Sequence, residues 1–347
     1  MNKRQASQRP TLRTIAQMSG LAVTTVSRAL ADDPHIAQDT REKVRKLADE
    51  VGYAPDRAAQ RLRTGKTNVI SLILNPHDEI LGFGTSIIRG ITAALRGTPY
   101  HLVVMPDFAD SEPMEQVSRI VRNHLADGVI FSRTEPDDAR IRYLLEMGFP
   151  FISHGRSELA TPHPFVDYDN YAFARQATER LIAAGSVRPA ILLPPRRFTF
   201  ANHQLHGFMS AVREHGVAHE ILTDITLDSP GEQIEARLLA RLGLPGAPDG
   251  LVCAGEVSGL AAIAAAVDSG LVPGRDFHIV VKQTSTLFSH VRPRVASIYE
   301  DLTEAGEHMG HFILRRIAGE PAEALQFLQV PPDPAETPGD TTTRAPF

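Results

Sequence analysis

From Val69 onward the chain alternates short apolar runs with amphipathic stretches of helical spacing, and this alternation constrains the fold most. Short apolar runs of this kind are typical of strands buried on both faces of a parallel sheet. We predict strands at 69–74, 101–105, 128–131, 149–152, 189–193, 250–253 and 277–281. Helices are predicted near 84–96, 113–125, 137–147, 170–184, 202–215, 231–241 and 257–269. This order indicates α/β architecture with two βαβ lobes, each a doubly wound parallel sheet.

The charge is divided unevenly along the chain. Residues 1–66 hold 13 Lys and Arg against 7 Asp and Glu, a net charge of +6, so the remaining residues hold 23 against 34, a net charge of -11. A basic segment on an acidic body indicates nucleic acid or another anionic surface as a partner. The whole-chain net charge of -5 conceals this division.

Other features exclude several classes of protein. The one cysteine, Cys253, rules out an intramolecular disulfide framework and a multi-cysteine zinc site, and it suits a reducing cytoplasm. No apolar run approaches the roughly 18–20 residues that span a bilayer. The N-terminus has basic residues without an apolar stretch after them, so we expect a cytoplasmic protein that does not contact the membrane.

The basic segment reads as three short helices. Thr11 can cap a first helix that ends at Gly20, and a second stretch, 22–30, follows at once, which together describe a helix-turn-helix. A third helix is predicted over 37–51, before Gly52. The residues predicted to face inward are Leu12, Ile15, Ala16, Met18, Val26, Leu30, Val44, Leu47, Ala48 and Val51.

Four motifs in this segment occur together in a specific order. They are Thr11-Leu-Arg-Thr-Ile-Ala16, Thr25-Val-Ser-Arg-Ala-Leu30, Thr40-Arg-Glu-Lys-Val44 and Gly52-Tyr-Ala-Pro55, followed by Ala59-Gln-Arg-Leu-Arg-Thr-Gly65. In this order and spacing they resemble the lactose/galactose repressor (LacI/GalR) family of transcriptional regulators. The resemblance is strong to about residue 75 and looser beyond it.

The resemblance implies a domain organisation. It implies a helix-turn-helix DNA-binding domain at 1–55, a hinge helix at 56–66 and a two-lobed effector-binding and dimerisation domain of periplasmic-binding-protein type at 67–330. The first lobe would comprise about 67–163 and 295–320, with Val295–Ile298 and a helix over 301–318 crossing back to it, and the second lobe about 164–294. Five prolines within residues 331–347 predict a disordered tail.

The second helix of a helix-turn-helix lies in the major groove, where its first turns meet base edges. Val23, Thr24 and Arg28 are therefore predicted to contact bases, Arg28 by two hydrogen bonds to guanine. By resemblance, Thr11, Thr25 and Ser27 bind phosphates, and Leu62 wedges into the minor groove. The predicted DNA-binding set is Thr11, Val23, Thr24, Thr25, Ser27, Arg28, Tyr53, Ala59, Leu62 and Arg63.

Alternatives remain open at two of these positions, because Arg28 could be a solvated surface residue and Leu62 could provide ordinary linker packing. The chain also departs from the family at three positions. Ala22 replaces a serine that caps the recognition helix, Ala31 replaces an asparagine that often contacts DNA, and Asp56 replaces an asparagine in the hinge. The missing cap is expected to cost about 1 kcal/mol.

Ligands of open α/β sheets bind at the carboxyl ends of the strands, so the crevice between the lobes is the expected effector site. The candidate residues at these ends are Asn75, His77, Phe83, Arg133, Arg156, Asp169, Asn202, Gln204, Glu256 and Lys282. Gln204 stands where the family usually has an arginine, and Lys282 where a cation is not typical. We therefore predict that Lys282, with Arg133, meets an anionic group such as that of a sugar acid or phosphosugar; the alternative is a solvated or ion-paired lysine.

Enzyme signals are weak. The glycines at 82 and 84 lack the third glycine of a dinucleotide fingerprint, and His203 and His206 have no carboxylate in ligand register. Cys253 reads as a buried inert thiol, and no nucleophile, base and orienting group occur together. We predict no catalytic residues, no metal and no cofactor.

The sequence therefore predicts a ligand-responsive regulator, a repressor of carbohydrate-related genes. It would bind a palindromic operator in double-stranded DNA as a homodimer, with an affinity set by a sugar or sugar derivative. The alternative is a sugar-binding protein or a Rossmann-like enzyme that does not act on DNA.

Overall fold

The chain forms two units, residues 1–67 and 68–347. The computed structural model describes residues 10–53, 65–75, 80–107 and 112–332. Four predicted site residues, Ala59, Leu62, Arg63 and His77, lie outside these ranges, as do Asp56 and residues 333–347 of the predicted tail.

Three helices make up the described part of the first unit: α1 (Leu12–Ser19), α2 (Val23–Leu30) and α3 (Gln38–Glu50). Gly20 ends α1 with a φ of 71°, a left-handed conformation that suits glycine and turns the chain directly into α2. The buried core of this unit consists of Ile15, Ala16, Val26, Ala29, Val44 and Ala48. The helix-turn-helix prediction is confirmed. Met18 was wrongly placed in the core, because half of its surface (51%) is exposed.

The second unit alternates strands and helices along its length. Its strands are β1 (Val69–Leu74), β2 (His101–Pro106), β3 (Gly128–Phe131), β4 (Phe151–His154), β5 (Phe165–Tyr168), β6 (Pro189–Leu192), β7 (Glu220–Leu222), β8 (Gly250–Cys253), β9 (His278–Gln283), β10 (Ala296–Tyr299) and β11 (Gln326–Gln329). Its helices are α4 (Phe83–Ala94), α5 (Pro113–Arg122), α6 (Ala139–Glu146), α7 (Asn170–Ala183), α8 (Thr199–His215), α9 (Gly231–Leu242), α10 (Glu256–Asp268) and α11 (Leu302–Ile317).

These strands form two parallel sheets, one in each lobe. The first sheet has the order β11-β5-β4-β3-β1-β2 and the second the order β10-β9-β8-β6-β7. Neighbouring strands are parallel, and the central strands are buried on both faces, as the uninterrupted apolar runs predict. The predicted α/β architecture is therefore confirmed.

The chain crosses between the two lobes at positions that differ from those predicted. Strand β5 pairs with β4 and β11 in the first sheet, although residues 164–294 were assigned to the second lobe. Strand β10 pairs with β9 in the second sheet, with Ile298 opposite Lys282, although 295–298 was expected to cross back to the first lobe. The chain therefore passes between the lobes after Tyr168 and after Tyr299, several residues later than predicted in each case.

Helix α11 does belong to the first lobe, where it packs against α4. The approach is close because glycines face each other: a Cβ atom added to Gly90 would lie 2.1 Å from the carbonyl oxygen of Thr303, and one added to Gly306 would lie 2.6 Å from that of Ile87. Asp301 begins the helix by accepting hydrogen bonds from the backbone N–H groups of Thr303 and Glu304. This packing brings the start of α11 to the carboxyl end of the first sheet.

Candidate functional site

The surface of α2 carries the predicted base-contacting side chains. Val26 and Ala29 are buried in the core of the first unit, and this orientation leaves Val23, Thr24 and Arg28 exposed. Thr25 and Ser27 are half-buried beside them. The two faces of α2 are therefore divided as a recognition helix requires, with an apolar inner face and a polar outer one.

The N-terminus of α2 has no side-chain cap. Ala22 occupies the N-cap position with extended backbone and offers no acceptor, as the departure at this position implies. Thr11, in contrast, caps α1 through reciprocal hydrogen bonds with Thr14, its hydroxyl accepting from the Thr14 N–H while its own N–H donates to the Thr14 hydroxyl. The exposed backbone N–H groups at the start of α2 remain available to an anion such as a phosphate.

Arg28 is exposed but not solitary. Its Nε donates to Oδ2 of Asp33 at 2.8 Å, and half of the arginine side chain (52%) remains in contact with solvent. Tyr53, a further predicted contact residue, is half-buried after α3, where its N–H donates to the carbonyl oxygen of Ala48.

A cleft lies between the two lobes at the carboxyl ends of their strands. Both lobes contribute apolar and polar groups to its lining. The lining residues are Ile80, Phe83, Ser132, Arg133, His154, Gly155, Asp167, Tyr168, Asn170, Phe200, Leu227, Lys282, Glu300 and Leu302. A concave site with apolar walls and a few convergent polar groups is typical of small-molecule binding.

Lys282 reaches this cleft as half of a buried ion pair. Its Nζ lies 2.7 Å from Oε2 of Glu300, and each side chain is only 5% exposed. The ammonium also donates to Oδ1 of Asn170 at 3.3 Å and lies 5.1 Å from the ring centroid of Tyr168. A buried charge requires such compensation.

Arg133 is likewise paired. Its guanidinium donates to Asp228 and lies over the ring of Phe198, 4.3 Å from its centroid. The structure therefore does not support the prediction that Lys282 and Arg133 hold an anionic ligand group, because a carboxylate already neutralises each cation. Arg133 also has a φ of 59°, an unfavourable conformation for a non-glycine residue that is commonly found at functional sites.

Asp167 carries an acceptor atom that no group in the described structure satisfies. Its Oδ1 accepts from the N–H of Tyr168 at 2.9 Å, but its Oδ2 is buried without a hydrogen bond. Arg156 lies at 3.4 Å from that oxygen, too poorly aligned to donate to it. Burial raises the pKa of Asp167 to about 7, although the nearby charges of Arg156 and Lys282 act to lower it. An unsatisfied buried acceptor in a cleft is a position where a ligand donor would be stabilised.

Asn170 links Lys282 to α8. Its Oδ1 also accepts from Nε2 of the fully buried Gln204 at 2.9 Å, while Oε1 of Gln204 accepts no hydrogen bond from the described residues. Gln204, a predicted effector residue, thus lies behind Asn170 rather than among the residues that line the cleft.

Glu256 holds the two lobes together. Fully buried, it accepts hydrogen bonds from the N–H groups of Thr284 (2.7 Å) and Ser285 (3.1 Å) in the second lobe and from that of Leu81 (3.2 Å) in the first. A carboxylate with three backbone donors is well stabilised without a ligand. The structure therefore places this predicted effector residue in an interlobe contact.

The remaining predicted effector residues are dispersed. Phe83 lies in the cleft, with its ring 5.6 Å from that of His154, whose pKa is lowered by burial. Asp169 caps α7 by accepting from the N–H of Ala172 at 2.9 Å, while Asn75 and Asn202 are half-buried outside the lining set.

Sequence reasoning missed several lining residues. Among the polar ones are His154, Asp167, Asn170 and Glu300, all at strand ends or in the short segments that join the lobes. The signal for Asp167 was present, because it stands beside the candidate Asp169 in Asp167-Tyr-Asp-Asn170. Glu300 could be found only once β10 was known to continue the second sheet.

Cys253 and His203, which the sequence analysis considered as possible reactive or metal-binding residues, have environments that disfavour their charged forms. Cys253 is buried, and burial raises the pKa of its thiol to about 12. Burial likewise lowers the pKa of His203 to about 4. Within residues 10–332, apart from the gaps given above, no three His, Cys, Asp or Glu side chains are grouped to hold a metal, and no helix is long and apolar enough to cross a membrane.

Both units match established protein families. Residues 67–302 match the family model described as periplasmic binding proteins and sugar binding domain of LacI family, and residues 11–56 match bacterial regulatory proteins, lacI family. The chain belongs to the LacI family. It is therefore a transcriptional regulator with a helix-turn-helix DNA-binding domain and a sugar-binding domain, as the resemblance implied.

Relatives of known name support this assignment to the LacI family. The HTH-type transcriptional regulator RafR of Escherichia coli is 30% identical over 326 residues, which cover 92% of this chain and 96% of RafR. CelR of Thermobifida fusca, another HTH-type transcriptional regulator, is 30% identical over 332 residues, covering 92% and 95%. These relatives are regulators, and neither matched family is enzymatic.

Solved structures of LacI-family proteins have the same fold. A complex of CelR with cellobiose has a TM-score of 0.67 at 26% identity and covers 93% of this chain and 98% of its own. The lac repressor dimer bound to operator and the anti-inducer ONPF has a TM-score of 0.79 at 22% identity, covering 93% and 97%. At that lower identity the likeness concerns the fold alone.

Proposed function

We propose that this chain is a ligand-controlled repressor of carbohydrate-related genes, which binds an approximately palindromic operator as a homodimer. A neutral sugar in the interlobe cleft changes its affinity for DNA. The observation that carries the choice of ligand is the buried, unsatisfied Oδ2 of Asp167 in a cleft whose two cations are already paired with carboxylates.

A neutral sugar suits the chemistry of the cleft. The hydroxyl groups of a sugar can donate to the ionised carboxyl of Asp167 or accept from its protonated form, whereas an anionic group would meet the carboxylate of Glu300. The apolar walls at Phe83, Phe200 and Leu227 can cover the C–H faces of a sugar ring. The cellobiose found with CelR is a ligand of this class.

The DNA-binding part of the proposal depends on the first unit. Its net charge of +6, counted over residues 1–66, and the exposed outer face of α2 suit a duplex, whereas the net charge of -11 beyond it repels phosphates. A dimer is favoured by β2, an edge strand of the first sheet on which Val103 and Val104 are 44% and 42% exposed. An exposed apolar edge requires cover. Operator binding would take place in the cytoplasm, where the chromosome lies.

The ligand class is tested by the melting temperature of the full chain. We expect cellobiose, raffinose or another neutral oligosaccharide to raise the melting temperature, since a ligand that binds the folded state stabilises it. Gluconate and glucose 6-phosphate should have no effect. Asp167→Asn should lose the shift, while Asp224→Asn, which breaks an exposed ion pair with Arg237, should retain it. A shift from the two anions alone would overturn the choice of a neutral sugar.

The DNA-binding role is tested by a gel shift on the DNA upstream of the gene, at two salt concentrations. We expect binding that weakens as salt rises, because cations are released from the phosphates. The alternative, a sugar-binding protein that does not act on DNA, predicts no salt-dependent shift. Arg28→Ala should relax the preference at one base pair per half-site by about 1–3 kcal/mol.

A further inference from the structure

Arg28 and Asp33 form an arrangement that extends beyond an ordinary surface ion pair. Asp33 lies in the turn after α2 and makes three contacts at once. Its N–H donates to the carbonyl oxygen of Arg28 at 3.1 Å, its Oδ1 accepts from the N–H of His35 at 3.0 Å, and its Oδ2 accepts from Nε of Arg28 at 2.8 Å. The carboxylate is therefore anchored to the backbone on both sides before it meets the guanidinium.

The contact joins Nε of the guanidinium to Asp33 and uses neither of the two Nη groups. The two Nη groups are the donors that form a bidentate pair with O6 and N7 of guanine. An anchored acceptor at Nε reduces the rotation of a long side chain, so less conformational entropy is lost when the Nη groups bind a base.

We propose that Asp33 is a positioning residue for base recognition, which holds the Arg28 guanidinium so that its two Nη groups face a guanine. This inference rests on the proposed DNA-binding function and names a residue outside the recognition helix that sets its specificity. The charged state of Asp33 persists at neutral pH, because the guanidinium of Arg28 and the N–H of His35 hold the pKa of this carboxyl below its ordinary value.

A carboxylate close to the duplex has a second consequence. It repels phosphates, so it weakens binding to DNA of any sequence while it improves the choice of base. Removing its charge should therefore change affinity and specificity in opposite directions. A residue that only supported the fold of the turn would weaken both together.

The neighbouring residue offers a matched control. Asp32 precedes Asp33 in the same turn but pairs with Arg41 and Arg45 on α3 instead of with Arg28. Asp32→Asn and Asp33→Asn remove the same charge from adjacent positions. A difference between them in base preference is therefore due to the contact with Arg28 and not to net charge.

The experiment selects binding sites from a random double-stranded oligonucleotide pool with the full-length chain and sequences the products. For the unaltered chain we expect guanine at one position of each half-site. In Asp33→Asn the preference for guanine there should fall by roughly fivefold, with other positions unchanged and with binding to unrelated DNA equal or tighter. Asp32→Asn should keep the preference.

A double-mutant cycle isolates the coupling. Arg28→Ala should lose the guanine preference, and adding Asp33→Asn to it should cause no further change in base preference. An unchanged preference in Asp33→Asn, or an equal effect of the two Asn variants, would overturn the inference. Failure of the unaltered chain to select any sequence would instead overturn the proposed function. Melting curves of all variants identify any that fail to fold.

Discussion

The two units hold their charged side chains in different ways. In the first unit, Arg28 and Asp33 pair on the surface, with 52% and 25% of their side chains exposed. In the second, Lys282 and Glu300 pair at 5% exposure each. An exposed pair is already largely hydrated and can exchange a partner for DNA at small cost, whereas a buried pair cannot separate without leaving a charge in an apolar environment.

The difference in burial determines which donor groups of each cation remain available to a ligand. Arg28 keeps donors that can bind an incoming group, because only its Nε is used by Asp33. Lys282 is enclosed by Glu300, Asn170 and two aromatic rings, so its charge is already compensated within the wall of the cleft. The presence of a cation near a site is therefore a poor guide to the charge of the ligand.

The largest expected effect comes from breaking the buried pair. Lys282→Met leaves Glu300 buried and uncompensated, so we expect the free energy of unfolding to fall by about 3–5 kcal/mol. Urea unfolding followed by circular dichroism measures this change. Lys282→Met combined with Glu300→Leu should recover most of the loss, and Arg237→Met, at an exposed pair with Asp224, should have little effect. Equal unfolding free energies of Lys282→Met and the unaltered chain would show that Lys282 and Glu300 are not a buried ion pair.

The next largest effect concerns Asp167, the buried carboxyl whose Oδ2 accepts no hydrogen bond from the described residues. Because burial raises the pKa of Asp167 to about 7, the folded chain retains a proton there that the unfolded chain loses near the ordinary value of 3.8. Stability from this group is present at low pH and declines as pH rises through that window, by on the order of 3 kcal/mol.

Measuring the unfolding free energy of Asp167→Asn between pH 4.5 and 8 tests whether the stability contributed by Asp167 falls as pH rises. The amide does not titrate, so the difference in unfolding free energy between variant and unaltered chain should move in favour of the variant as pH rises. The exposed pair provides the contrast: Asp33→Asn should give a difference of the opposite slope or none. If the difference in unfolding free energy between Asp167→Asn and the unaltered chain does not change with pH, burial does not raise the pKa of Asp167.

The smallest effect concerns the uncapped start of α2 in the first unit. Thr11 caps α1 in the first unit, and Asp138, Asp169 and Asp301 cap α6, α7 and α11 in the second, whereas α2 begins at Ala22 without a side-chain hydrogen bond. We expect Ala22→Ser to stabilise α2 by about 1 kcal/mol. Slower hydrogen exchange of the α2 amides in the full chain would report it. Ala31→Ser, at the other end of the same helix, is the control and should leave exchange unchanged.

Much of the fold could be predicted from local pattern. Buried central strands such as Gly128–Phe131 and Gly250–Cys253 have continuous apolar sequences, and their existence follows directly from them. Three strands were missed: β5, β7 and β11. Strands β7 and β11 lie at sheet edges and mix polar with apolar residues, so neither spacing nor apolar content separates them from loops.

The cleft was less predictable, for a physical reason. Lys282 was singled out from its position after a strand, but its partner Glu300 depends on the register of β10 against β9, where Ile298 lies opposite Lys282. Asp167 and Lys282 line one cleft only because the joining segments bring the two lobes together. Pairings between residues so far apart in sequence depend on tertiary geometry, which local propensity does not contain.

The segments that join the lobes also supply walls of the cleft. Tyr168 and Asn170 flank the first passage of the chain, and Glu300 and Leu302 the second. A ligand that rests on these residues sits near the pivot of any lobe rotation, where displacements are smallest. Phe200 and Leu227, which line the cleft from the second lobe outside these segments, would instead move with their lobe. For the sugar proposed above, contacts with Phe200 and Leu227, more than those with Glu300, would therefore report lobe closure to the DNA-binding domain.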